Sequence, residues 1–260
     1  MISKWMSKLP YLSASVVFVV ALYLLCAVDN YAWVESSSLK WLVTEQILST
    51  NEDSFLEVLS AVLWAVAFGL FVSLFMRSRS TVERCWLALY AAVSLFAFGE
   101  ETSWGYHWFD YTDAVPLLTS HNAQGETNLH NINVAEILGV SSEASYYYYL
   151  ENVSHLLNPL FYLFLSGLWL GLPLLKMSGA FRSMSLLRDM PVASTGFLAF
   201  FFLHSVCFIF VDVVLFNVGF IYEMFIALAA VLVAADIART NAATDPVELG
   251  DSLLPAGGMR

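Results

Sequence analysis

The sequence predicts an all-α protein: a polytopic transmembrane helical bundle of about six spans. Both termini are expected to be cytoplasmic, with a long, partly helical outer connection between spans three and four. Three observations predict this. The 260-residue chain is 59% hydrophobic and 13% charged, with a mean hydropathy of +0.69, whereas a soluble domain carries roughly 25% charged residues. Its apolar residues come in runs close to the roughly 20 that a helix needs to cross a bilayer. Its basic residues sort to alternate loops, as insertion requires.

The elements follow in order. Lys4 and Lys8 precede an apolar run at 11–28. It opens like a signal peptide but has the length of a span and no small-residue cleavage site, so it reads as a retained first helix. Spans two and three are expected at 55–76 and 85–104, and a fourth at 155–175. The apolar stretch from 192 to 236 is too long for one crossing. It divides at "FNVGF" into spans at 192–215 and 219–236. Residues 1–240 then form one transmembrane domain, and 241–260 a polar cytoplasmic tail.

With six spans, ten of the eleven Lys and Arg fall on one side and only Lys40 on the other. The positive-inside rule makes that side cytoplasmic and the protein a multi-pass protein of the bacterial inner membrane. Sixteen of the 22 Asp and Glu fall on the outer side. Insertion does not demand that excess; it can draw cations to the outer face or simply keep outer loops soluble. Cys26, Cys85 and Cys207 form no CxxC and no disulfide pattern, and read as small buried fillers.

The outer connection at 105–154 contains no Lys or Arg, and loops of this length are commonly functional or locally structured. Glu126 and His130 stand four apart in "QGETNLHN", and Glu151 and His155 four apart in "ENVSH". On a helix that spacing puts both side chains on one face. Together with Glu101 they supply the carboxylate and imidazole groups that bind Zn, Mn or Fe. Glu101, Glu126, His130, Glu151 and His155 are therefore the expected ligands of a divalent metal. Glu100 and Asp212 are the expected general bases.

Ionisable residues inside a span are costly and commonly mark a site. His204 and Asp212, eight apart in the fifth span, lie about 80° apart around a helix. Plainer readings stand beside these. Either Glu-x-x-x-His pair can be a surface hydrogen bond, and Glu100 and Glu101 can end a helix among headgroups. His204 can be a core histidine bonded to a carbonyl, and Glu57 and Glu223 can be interfacial. Tyr146–Tyr149 reads as an interfacial belt.

"GEETSWG" (Gly99–Gly105) followed by "QGETNLHN" (Gln124–Asn131) resembles a family of uncharacterised bacterial polytopic membrane proteins with G-E-E-x-S-W-G and Q-x-E-x-N-L-H-N motifs. The likeness covers 99–131. It implies that Trp104, Gln124, Asn128 and Asn131 matter alongside Glu100, Glu101, Glu126 and His130, and it implies no activity. The likeness to alkaline-ceramidase-like membrane hydrolases is architectural, since no His-x-x-x-His occurs.

Three functions compete. The first is a metal-dependent membrane hydrolase or lipid-modifying enzyme, in which a metal-bound water attacks a lipid or amphiphile. The second is a non-enzymatic subunit binding a membrane-protein partner or a pigment. The third is a cation or proton-coupled transporter. No Walker loop, Rossmann fingerprint, GxSxG or HExxH occurs, and no basic aromatic patch points to nucleic acid.

Overall fold

The computed structural model describes residues 55–109, 115–179, 183–214 and 219–244, together with Ser13, Ala14, Val16, Val17 and Val20; the side chains of 107, 117, 211–220 and 243–244 lie outside this description. Five long helices organise it: α1 (Phe55–Arg77), α2 (Thr81–Glu101), α3 (Ser154–Ser178), α4 (Thr195–Val214) and α5 (Gly219–Thr244). α1, α2, α3 and the Ile221–Ala242 part of α5 are long and apolar enough to cross a membrane. α4 is apolar too, with a shorter described stretch at Thr195–Phe210. The expected first span at 11–28 and the tail from 245 onward lie largely or wholly outside the described residues.

Helix boundaries follow local chemistry. Ser80 caps α2, its hydroxyl accepting from the Glu83 backbone N–H, the usual way a helix satisfies a free N-terminal donor. α2 was expected to run to Trp104 but stops at Glu101, because Ser103, Trp104 and Gly105 all take positive φ. L-residues rarely adopt that region, and a helix cannot continue through it. α3 contains Pro159 and passes through a π-helical turn at Gly167–Gly171. α5 continues past the expected end at 236, since Ile237, Ala238 and Arg239 remain good helix formers after the apolar run ends.

Residues 78–80 join α1 and α2 as an antiparallel pair, and α5 packs along α1. At one end Ser60 of α1 meets Glu101 of α2, and Asn158 and Tyr162 of α3 meet Glu223 of α5. At the other end Asn241 of α5 bonds Glu83 of α2 (3.0 Å), and the Ser194 backbone N–H before α4 donates to Asp236 of α5. α1, α3 and α5 therefore start at the first end, and α2 and α4 finish there.

Between the two ends lies an apolar core. Ala67 and Phe71 of α1, Leu87 of α2, Leu165 of α3, Phe197 and Phe201 of α4, and Phe225, Ala227 and Ala230 of α5 are fully buried. The described Lys and Arg (Arg77, Arg79, Arg84, Lys176, Arg188 and Arg239) all sit on or beside helix ends away from Glu101. Cys85 and Cys207 are exposed on the outside of the bundle rather than buried. A thiol is apolar enough to face lipid as readily as a core.

Candidate carboxylate site

The end of α2 carries two consecutive glutamates facing different surroundings. Residues one apart on a helix differ by about 100°, so one turns into the bundle while the other turns onto the connection. Glu101 takes the inner position: Ser60 Oγ donates to its Oε1 (2.9 Å), and the Trp64 indole also hydrogen-bonds it. Glu57 of α1 and Glu223 of α5 both act on it electrostatically. Glu223 accepts from Tyr162 Oη at 3.1 Å and Asn158 Nδ2 at 3.3 Å, and feels His130. Tyr222 packs edge-on against the Tyr162 ring, at 4.7 Å between centroids. Among the described residues no Lys or Arg pairs with Glu101 or Glu223.

Glu100 faces the connection. Its Oε2 accepts from the backbone N–H groups of Leu129 (2.9 Å) and His130 (3.1 Å), and lies 3.0 Å from His130 Nδ1. Its Oε1 accepts from Trp104 Nε1 at 2.6 Å. A carboxylate only accepts, which assigns the imidazole proton to Nδ1 and leaves Nε2 facing the Asn131 amide at 3.2 Å. Gly99 makes room for this arrangement: a Cβ there would lie 2.7 Å from the Trp104 ring. Apart from Glu101, which faces the bundle, the "GEETSWG" segment thus forms one local knot.

The facing segment is polar inside. Glu126 is buried and accepts from Ser103 Oγ and from Asn128 Nδ2 (3.1 Å). Thr127 donates to the Ser103 carbonyl, and Asn122 Nδ2 donates to Asn128 O and Oδ1, both at 2.8 Å. Gln124 Oε1 accepts from Asn128 and Asn131, while Asn152 reaches Asn131 Oδ1 (3.4 Å). An isolated antiparallel bridge, Asn122–Ile132, closes the segment.

This departs from the helix on which Glu126 and His130 were to share a face. Asn and Gly side chains and backbone favour turns by bonding nearby main chain, and Gly125 adopts φ +76°. The second pair is also interrupted. A short helix, Tyr147–Glu151, ends at extended Asn152 before α3 begins at Ser154. His155 stacks on Tyr148 (3.9 Å, 7° between planes) and holds the Tyr148 carbonyl at 2.7 Å.

Of the expected metal ligands, then, Glu101 lies in the bundle, Glu126 bonds Ser103, His130 bonds Glu100 and His155 bonds Tyr148. Glu151 sits half-buried at its helix end. Among the described residues no group of three or more His, Cys, Asp or Glu is arranged to hold a metal ion. His204 is buried, its Nδ1 on the Phe200 carbonyl (2.8 Å) and its ring against Phe200 and Phe225. Asp212 falls in the last turn of α4, at the end that α4 shares with Glu101, and its side chain is outside the described residues.

Ser60, Asn158 and Tyr162 are site residues that the sequence reading passed over, and Glu57 and Glu223, which it placed at the outer boundary as interfacial, join them. The usable signal was depth. Each stands within two and a half turns of the start of a helix that opens at the same end, where an ionisable or polar group is costly. No protein family, curated protein or solved structure matches this chain. It stands as an all-α protein whose long apolar helices imply association with a lipid bilayer.

Proposed function

We propose that this membrane protein carries out acid–base chemistry on a lipid or other amphiphile, which reaches Glu101 and Glu223 from one face of the bilayer. The observation that supports it is that these carboxyl groups, from α2 and α5, lie at one end of the bundle, near enough for Glu223 to act on Glu101 electrostatically, among Ser60, Trp64, Asn158 and Tyr162 without a Lys or Arg counter-ion among the described residues. Anionic groups in an apolar bundle are expensive, and apolar side chains would stabilise the same contact more cheaply. Two carboxyl groups held in unlike settings can divide the roles of acid and base. Tyr162 orients Glu223 and Ser60 orients Glu101; Glu100 holds His130 over the same end.

A one-sided site is favoured over a through-path by what lies deeper. Ala67, Phe71, Leu87 and Leu165 fill the next layers, and among the polar groups there Ser94, Tyr90 and His204 donate to the carbonyls of Tyr90, Pro191 and Phe200. With the basic helix ends in the cytoplasm, the site opens on the outer face.

The test compares lipid extracts, by mass spectrometry, from cells expressing the full chain and its Glu101→Gln and Glu223→Gln variants at equal membrane levels. The expected result is a lipid class altered by the wild type and restored by either variant. If both variants alter lipids as the wild type does, the proposal fails. Elemental analysis of the same purified proteins reads the metal directly. A stoichiometric Zn, Mn or Fe lost with Glu101 or Glu223 would route the chemistry through an ion held by the pair.

A further inference from the structure

The connection between α2 and α3 is built inside out. Polar side chains fill its interior: Asn122, Glu126, Thr127, Asn128 and Asn131 are buried and hydrogen-bonded there. Its large apolar and aromatic side chains face outward, with Trp108 64%, Phe109 73% and Leu138 66% exposed, and Tyr146 and Tyr148 more than half exposed. A segment surrounded by water would have the reverse arrangement, since exposed apolar area in one patch is unfavourable there. Trp and Tyr, with an apolar ring and one polar tip, are the residues that settle at the boundary of a bilayer.

The exposed surface is also continuous with the flanks of the spans. Trp104 lies edge-on against Phe96, an exposed residue of α2, at 5.9 Å between centroids. Tyr148 stacks on His155, in the first turn of α3, just ahead of exposed Leu156 and Leu157. Among the described residues its exposed polar side chains are Ser120, Gln124, Glu136 and, at the tip, Ser141, Ser142, Glu143 and Ser145.

We infer that this connection lies in the interfacial layer of the bilayer, its aromatic face among lipid headgroups and upper acyl chains, with Gln124, Glu136 and the 141–145 tip turned to water. The partner is lipid of either charge. The connection carries no Lys or Arg, so adhesion comes from apolar area and aromatic rings, and does not depend on anionic headgroups. The inference stands apart from the carboxylate chemistry and survives its failure.

The test places a single nitroxide on the full chain in phosphatidylcholine vesicles, after Cys26→Ser, Cys85→Ser and Cys207→Ser. Labels at Trp108→Cys and Leu138→Cys are compared with Ser142→Cys. Molecular oxygen concentrates in the bilayer and a nickel chelate stays in water. Positions 108 and 138 should collide mainly with oxygen, and position 142 mainly with nickel. Nickel access at 108 and 138 equal to that at 142 would overturn the inference. Exclusion of both reagents there would overturn it too, showing protein in place of lipid. Should the cysteine variants misfold, the native chain answers: the emission lost in Trp108→Phe should be quenched by brominated lipid and not by iodide. Quenching by iodide would sink the idea.

Discussion

Glu100 and His130 are joined twice: one carboxylate oxygen of Glu100 takes the His130 backbone N–H at 3.1 Å and lies 3.0 Å from its Nδ1. Thirty residues separate them in the chain. These two hydrogen bonds tie the turn holding Leu129 and His130 to the end of α2, so the connection cannot lift from the bundle without breaking charge-assisted contacts, each typically contributing about 1.5–3 kcal/mol.

Glu100→Gln should therefore loosen the connection without unfolding the helices. The amide retains one carbonyl acceptor but loses the charge and the second oxygen. Hydrogen exchange at Leu129 and His130 should rise about tenfold or more, corresponding to a local loss of about 1.4 kcal/mol or more. Exchange within α1 and α5 should not change. Unaltered protection at both amides would contradict the clamp.

Gly99→Ala tests the knot from its other side. The new methyl would sit 2.7 Å from Trp104, so the ring must move and its bond to Glu100 must stretch. Overpacking of this kind costs about 1–3 kcal/mol, read as a lower melting temperature in detergent. Adding Trp104→Ala should make the Gly99→Ala step nearly neutral. Equal penalties in both backgrounds would rule out the contact.

Tyr162→Phe removes only the hydroxyl that donates to Glu223. The stability loss should be about 1 kcal/mol, and any function resting on Glu223 should fall with it. A cycle with Glu223→Gln should give a coupling of about 0.5–3 kcal/mol. Strict additivity would mean that the 3.1 Å contact contributes nothing.

Asp236→Ala serves at the opposite end of the bundle. Asp236 is buried and accepts from the Ser194 backbone N–H at the entry to α4. Its loss leaves that donor without its partner and should cost about 1–3 kcal/mol. Activity per folded molecule should be unchanged, because the site lies across the apolar core. An activity loss without a stability loss would show that the two ends communicate.

The helices were legible because hydropathy is a property of a window of residues. The runs at 55–76, 85–104 and 155–175 became α1, α2 and α3 within a few residues. The helix stop at Glu101 was less visible, since nothing in Ser103 or Trp104 as residue types announces a positive φ. The spacing of Glu126 to His130 misled because four-residue spacing implies a shared face only on a helix. Four asparagines and Gly125 between Asn122 and Asn133 were the better guide.

The sequence by itself determined the all-α class, the apolar lengths of the helices and the gathering of basic residues at alternate helix ends. Each of these depends on composition along the chain. Only the tertiary structure decided that Glu101 turns inward while Glu100 turns to the connection, and that Glu57, Tyr162 and Glu223 join Glu101. That convergence depends on helix phase, direction and neighbour. These are fixed by packing between α1, α2, α3 and α5 rather than by any one stretch of residues.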